Sequence, residues 1–269
     1  MQCHMHIYDP RFAEYTPGRA RPKNAAVPDY RLLQKRTGTT RVVVVTPRNY
    51  ATDNRVTVDA LTQLGASARG VGVVHPTVTD AELKALDAAG IRGIRFSLTS
   101  GPDAVVTWDM VEPLSKRVAD LGWHLQFNLD GPQITEYADL LRRLPSQLVF
   151  DHMGHPTLPA GIEDQSFAVM RGLIDRGRTW IKLSGAYSNS KIRPPDYPEA
   201  TKIAVAFVKA APERLVWGSD WPHPGEQNKP ELPNDALLFD LLAVWAPDEG
   251  TRHRILVENP VALYGFAKG

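Results

Sequence analysis

The chain has 269 residues, 43% of them apolar and 23% charged, with a formal net charge of +1 and one cysteine, Cys3. That length can bury a large core and suits a single soluble globular domain over residues 1–269, while the near-zero charge offers no long-range field for nucleic acid or an anionic membrane. A lone cysteine excludes an internal disulfide framework and a cysteine metal knuckle and fits a reducing, cytoplasmic setting; no stretch approaches the ~18 apolar residues of a spanning helix.

The first strand is predicted over Gln2–Ile7, so close to Met1 that no signal peptide is expected ahead of it, although a native start further upstream is compatible with the sequence. Further strands are predicted over Val42–Thr46, Gly70–Val74, Ile91–Phe96, His124–Asn128, Leu148–Asp151, Trp180–Ser184 and Leu215–Gly218. Several are rich in Val, Ile and aromatics, as strands buried on both faces should be. Helical patterns lie between them at Thr79–Ala89, Trp108–Leu121, Ile134–Leu144, Ser166–Asp175 and Ala200–Ala210, and Asp248–Phe266 reads as a terminal helix. Thr16–Pro28, Lys191–Pro198 and Pro222–Pro233 read as long loops that follow strands.

Strand starts recur at intervals of roughly 20 to 40 residues, the size of a βαβ step, and eight such steps in about 250 residues suit an α/β fold closed as a (β/α)8 barrel. An open doubly wound sheet more often carries a glycine-rich loop after strand 1, where this chain has Asp9-Pro10-Arg11-Phe12.

Polar residues gather at the predicted strand ends. Alternation along a strand turns His4 and His6 to one side and Cys3 and Met5 to the other, so two imidazoles enter one space, able to bind a divalent metal or a carbonyl oxygen. Asp151-His152 ends strand 6, where barrel enzymes build active sites; the bland alternative has Asp151 capping a turn and His152 bonding a backbone carbonyl. Leu215–Pro224 supplies an apolar strand, a glycine permitting close approach, Asp220 and an aromatic wall. Asp220 can take a proton from water or bind a metal, and Trp221-Pro222-His223-Pro224 makes a plain helix-capping role for it less apt, with His223 ranked behind it. Arg95 and Ser97 end strand 4, Arg48 and Asn49 end strand 2, and His75 ends strand 3; guanidinium groups at a barrel mouth suit a carboxylate on a substrate. Gln126 and Asn128 share one face of strand 5, and Tyr187 follows strand 7 as a lining or packing residue.

With those residues placed, the chain resembles the amidohydrolase superfamily, and within it the branch of 2-pyrone-4,6-dicarboxylate lactonase, sulfomuconolactone hydrolase and galactarolactone isomerase. The resemblance rests on Cys3–His6, Gly90–Phe96, Leu121–His124, Val149–Gly154, Val216–His223 and Val257–Tyr264, which run from end to end of the chain; the Trp217–His223 segment is the most specific. It implies a distorted (β/α)8 barrel, an ester-bond hydrolase acting on a small carboxylated or sugar-derived lactone, and His4, His6, His152 and Asp220 around the reacting carbonyl. Asp220 is then the general base on water and the histidines stabilise the oxyanion, with no cofactor required as the first choice and a single zinc ion on the same four residues as the alternative. A binuclear centre is not implied, because Arg95 and Ser97 stand where a carboxylated lysine is expected. Arg95, Arg48, Asn49, His155, Tyr187 and Asn128 are the implied substrate contacts.

Two departures bear on substrate. His155 stands where the pyrone lactonase has an arginine, and Ser184–Lys191 looks closer to the isomerase type, which argues against a pyrone dicarboxylate whose second charge would lack a partner. Competing functions are lactone isomerisation by a substrate hydroxyl and a non-catalytic ligand-binding barrel. A homo-oligomer is compatible with the sequence.

Overall fold

In the computed structural model, which describes residues 1–14, 21–23, 25–98 and 105–267, the Val- and Ile-rich runs form eight parallel strands. These are β1 (Gln2–Met5), β2 (Val42–Val45), β3 (Ala68–Gly72), β4 (Ile91–Ser97), β5 (His124–Asn128), β6 (Leu148–Phe150), β7 (Thr179–Leu183) and β8 (Leu215–Trp217). Each pairs with its sequence neighbour, the order expected when every crossover is right-handed and short. Closure comes just past β8: the Asp220 amide donates to the His4 carbonyl at 2.9 Å, and the His6 amide donates to that of Trp221 at 2.8 Å. The result is a distorted (β/α)8 barrel. Gly218 makes closure possible, since a Cβ there would stand 2.7 Å from both the Cβ and the amide nitrogen of His4.

The helices are α1 (Val27–Thr37), α2 (Arg55–Leu64), α3 (Asp80–Ala88), α4 (Trp108–Ala119), α5 (Gly131–Glu136), α6 (Ala138–Arg143), α7 (Gln165–Asp175), α8 (Pro198–Ala210), α9 (Asp235–Trp245), α10 (Glu249–His253) and α11 (Asn259–Tyr264). The start of α3 is set by a capping box in which Thr79 Oγ1 accepts from the Glu82 amide at 3.2 Å and Glu82 Oε2 accepts from the Thr79 amide at 2.7 Å. Several expectations are corrected. The helix expected over Ile134–Leu144 is two short ones, broken at Tyr137, whose φ of −98° and ψ of 18° leave the helical basin. The terminal segment is α10 and α11 joined by a π turn at Arg254–Glu258. The stretch expected as a loop at Thr16–Pro28 ends inside α1, where Pro28 sits in the first turn and needs no amide partner; residues 15–20 and 24 of it lie outside the described residues. The third strand starts at Ala68 rather than Gly70 and ends at Gly72 rather than Val74.

Two apolar layers flank the sheet. Val42, Val44, Ile94, Phe96, Phe127, Phe150 and Ile181 face the helices, while Cys3, Val43, Val45, Val71, Val149, Trp180 and Val216 pack together with Leu263 and Tyr264 of α11. Cys3 therefore shares the inner layer, against the strict alternation expected for β1, because the β1–β2 register shifts between Gln2 and Met5. That shift lets Cys3 fill the floor while His4 and His6 both serve the layer above it. Among the described residues no helix is long and apolar enough to cross a membrane.

Packing is tight at Gly93, where a Cβ would stand 2.4 Å from the buried ring of His124. Gly93→Ala is expected to cost about 1–3 kcal/mol through overpacking, read as a lower denaturation midpoint at unchanged slope.

Candidate active site

The inner layer above the valines is polar and buried. Asp151, fully buried, sits at its centre: Arg95 Nε donates to Oδ2 at 2.9 Å and Gln126 Nε2 donates to the same oxygen at 3.0 Å. On its other side, Oδ1 lies 3.0 Å from His4 Nδ1 and 3.5 Å from Lys182 Nζ, and Lys182 also donates to Gln126 Oε1 at 2.6 Å. Burial alone would raise the Asp151 carboxyl, but His4, Lys182 and Arg95 outweigh it and hold it well below the ordinary carboxylate range. Burial also pulls Lys182 down to about 8, against the opposing pull of Asp151. Asp151 is thus an ionic hub, not a turn cap.

The hub aims His4. Burial drives its pKa far down, so it is neutral, and Asp151, nearer to Nδ1 than the Lys182 ammonium at 3.3 Å, accepts a hydrogen bond from Nδ1–H, which leaves Nε2 with the lone pair. His6 is oriented by a backbone group: its Nδ1 is 2.8 Å from the Val45 carbonyl, which can only accept, so Nδ1 carries a proton and Nε2 is turned to Asp220. His4 Nε2 and His6 Nε2 stand 3.2 Å apart.

Asp220 completes the group. Its Oδ1 lies 3.4 Å from His4 Nε2, 3.2 Å from His6 Nε2 and 4.0 Å from His152 Nε2, while Oδ2 accepts from the Tyr187 hydroxyl at 2.6 Å. Burial would raise this carboxyl too, but His152, His6 and His4 pull it far below its ordinary value. Burial and then Asp220 push Tyr187 well up, so its hydroxyl stays a donor. His152 Nδ1 is 2.9 Å from Ser184 Oγ, and burial lowers its pKa. The backbone places both groups: His152 and Asp220 take φ of 49° and 66°, left-handed values that cost non-glycine residues energy and that swing the side chains off their strand ends into the barrel. His223 stands behind, with Nδ1 3.3 Å from the Tyr187 hydroxyl and Nε2 3.3 Å from Asp235 Oδ1.

Above these residues opens a cavity of about 550 Å³. Arg48, Asn49, Arg95, Asn128, His155 and Tyr187 all line it, as do His6, His152 and Asp220; His4 lies just beneath. Asn49 donates to Glu14 at 2.9 Å and Asn128 to Ser97 at 3.1 Å, and burial pulls His155 down to about 3, so it enters the cavity neutral. Arg95 is tied to Asp151 as well as facing the cavity. His75 stands elsewhere, in a surface cleft of about 690 Å³ between α2 and α3. Lys182 and the central place of Asp151 did not stand out in the sequence; a lysine inside the Trp180–Leu183 strand run was the one available signal.

The residues fit a divalent cation. Asp220 Oδ1 is buried with no hydrogen-bond partner among the described residues, and it faces the Nε2 atoms of His4 and His6 at 3.4 and 3.2 Å. Such a triangle repels itself unless a proton or cation lies among its corners. A tetrahedral zinc with bonds of about 2.0–2.1 Å has ligand–ligand edges of roughly 3.3–3.4 Å, close to the 3.2, 3.2 and 3.4 Å found.

A (β/α)8 barrel with a histidine–carboxylate centre at the C-terminal ends of its strands defines a barrel hydrolase. The chain belongs to the amidohydrolase family, whose pattern it matches over residues 1–266. It is 33% identical over 268 residues to a 4-sulfomuconolactone hydrolase of Rhizobium radiobacter, covering 97% of this chain and 88% of that protein. It is 32% identical over 262 residues to a D-galactarolactone isomerase of Agrobacterium fabrum, covering 97% and 89%. A probable 2-pyrone-4,6-dicarboxylic acid hydrolase of Acinetobacter baumannii, solved with citric acid bound, superimposes with a TM-score of 0.84 at 26% identity over 98% of each chain.

Asp151→Ala leaves Arg95 and Lys182 buried without their carboxylate and is expected to cost about 3–5 kcal/mol of stability. Adding Lys182→Met should recover part of that loss, a non-additivity that equilibrium denaturation of the single and double variants measures.

Proposed function

We propose that this protein opens a small carboxylated or sugar-derived lactone by adding water to the ester carbonyl, acting in the cytoplasm as one domain of residues 1–269. The observation that carries this reading is Asp220, with one oxygen held by Tyr187 and the other turned toward three imidazoles beneath a polar cavity. The names of the relatives support it, since they include a lactone hydrolase and a lactone isomerase.

Asp220 is ionised at neutral pH and is the general base. The interactions that keep it ionised also make it a weak base, so the proton moves as the water oxygen bonds to the carbonyl carbon, not before. His152 faces the developing oxyanion; Ser184 can donate to its Nδ1, which leaves Nε2–H free to stabilise that charge. Collapse breaks the ring C–O bond, and the proton on Asp220 passes to the leaving alkoxide, giving a hydroxy acid. Arg48, Arg95, Asn49, Asn128 and His155 hold the rest of the substrate. His4, His6 and Asp220, with His152 beside them, would hold a single divalent cation, which when bound lowers the pKa of water and polarises a carbonyl. Without one, the carbonyl-binding role falls to the imidazoles.

The isomerase relative favours a second reading in which a substrate hydroxyl replaces water. Hydrolysis in ¹⁸O-water places one heavy oxygen in the product carboxyl, whereas isomerisation places none. Asp220→Asn is expected to lose at least about 10³-fold in kcat with an unchanged circular dichroism spectrum; a folded, active variant sinks the role of Asp220. Tyr187→Phe removes a charge-assisted hydrogen bond and should lower kcat by about 10- to 100-fold, with KM moving less. Elemental analysis of the purified protein is expected to find about one divalent ion per chain, lost together with activity on chelation.

A further inference from the structure

The loops after β7 and β8 both wall the cavity, the first through Tyr187 and Ser188 and the second through Pro224, Gly225 and Asn228. Side chains join these loops at two levels. The inner link is the 2.6 Å hydrogen bond that the Tyr187 hydroxyl donates to Asp220 Oδ2. The outer link pairs Arg193 with Glu226, where Arg193 Nη2 donates to Oε2 at 2.8 Å. Arg193 and Glu226 are not among the described lining residues of the cavity. Each stands six residues beyond the inner partner on its own loop, so the loops are held like a ladder with two rungs.

Arg193 does more than pair. Its other terminal nitrogen, Nη1, donates to the Tyr187 carbonyl at 3.2 Å, so one guanidinium grips the carboxylate of the second loop and the backbone of the first. The Glu226 side chain is only 7% exposed and takes a second cation, Lys229, at 2.7 Å, whereas Arg193 is 43% exposed. A carboxylate withdrawn from water costs free energy unless charged donors meet it, which fixes Glu226 between these cations and Arg193 on Tyr187. The backbone closes the circuit: the His223 amide donates to the Asp220 carbonyl at 2.7 Å, and the Glu226 amide donates to the His223 carbonyl at 2.9 Å. Contacts therefore run in a ring from Asp220 through Glu226, Arg193 and Tyr187 back to Asp220.

Asp220 and His223 are held at φ of 66° and 60°, strained values that persist only where the surroundings over-determine them. Precision matters at this point, since a displacement of about 1 Å in a reacting group can cost about 10²-fold in rate. We infer that Arg193 and Glu226 are positioning residues for Asp220: they hold the Tyr187 main chain so that its hydroxyl stays on Oδ2, and they touch no substrate themselves. The tie acts on the oxygen opposite the one that faces His4, His6 and His152, so it serves Asp220 with or without a divalent cation among them. This rests on the reading of Asp220 as the base and extends its support to residues outside the cavity.

Arg193→Met, at a partly exposed position, is the main test, with Glu226→Met as the second variant. On a panel of δ-valerolactone, dihydrocoumarin and D-galactono-1,4-lactone, each is expected to lower kcat by about 5- to 20-fold while KM stays within about 3-fold. Arg193→Lys keeps the charge but not the fork that spans carbonyl and carboxylate, and should resemble Arg193→Met. In a Tyr187→Phe background, Arg193→Met should change kcat by less than about 2-fold, because the contact it supports is already gone. Losses that multiply in the double variant, full kcat in Arg193→Lys, or a rise in KM alone overturn the inference and leave lactone hydrolysis standing. Crystal structures of Arg193→Met and Glu226→Met read the geometry without substrate: the Tyr187 hydroxyl is expected beyond hydrogen-bond reach of Asp220, with β7 and β8 in place. If no lactone is turned over, that displacement upholds the tie while the hydrolase reading fails; a hydroxyl still at 2.6 Å overturns the inference in either case.

Discussion

Four polar side chains inside a barrel must be paid for by one another, and here the pairing runs through the buried Asp151 carboxylate. Arg95 from β4, Gln126 from β5, Lys182 from β7 and His4 from β1 all converge on it, so strands far apart in sequence share one electrostatic centre. Each cation is tolerable at zero or near-zero exposure only because that carboxylate is ionised, and the carboxylate stays ionised only because the cations are there. A hydrophobic layer of similar volume could hold the barrel as firmly. What the ionic layer adds is direction: it fixes the ring of His4, and through it the face that His4 turns to Asp220.

Much of the architecture is legible in the chain because strands buried on both sides need unbroken runs such as Val42–Val45, and barrel geometry then puts their C-terminal ends at one mouth. His4, His6, His152 and Asp220 could be placed together on that logic alone, and they do meet. The helices are read less well. In α1 only Val27, Tyr30 and Leu33 are buried amid polar residues, too thin a stripe to stand out beside a proline-bearing loop. The split of α5 from α6 depends on how one tyrosine settles between neighbours, which no periodicity encodes.

The parts that sequence patterns miss share a cause. Lys182 reads as an ordinary polar residue of a strand until closure brings it against β1 and β5, and Asp151 reads as a turn residue until four other strands aim at it. The place of Cys3 fails for a related reason: a register shift of β1 against β2 has no signature in composition, yet it changes which side chains share a layer. Pairwise chemistry across a barrel is set by closure, and closure is a property of the whole sheet.

The short segment after β7 carries two duties at once. Tyr187 touches the carboxylate oxygen of Asp220, and Ser188, its neighbour, lines the cavity. A change of loop length or sequence that reshapes the cavity for a new ligand therefore also shifts the hydrogen bond that steadies Asp220. In this scaffold ligand preference and reactivity are mechanically linked through one peptide bond, so a switch of preference made in that loop would cost rate until Tyr187 is re-seated.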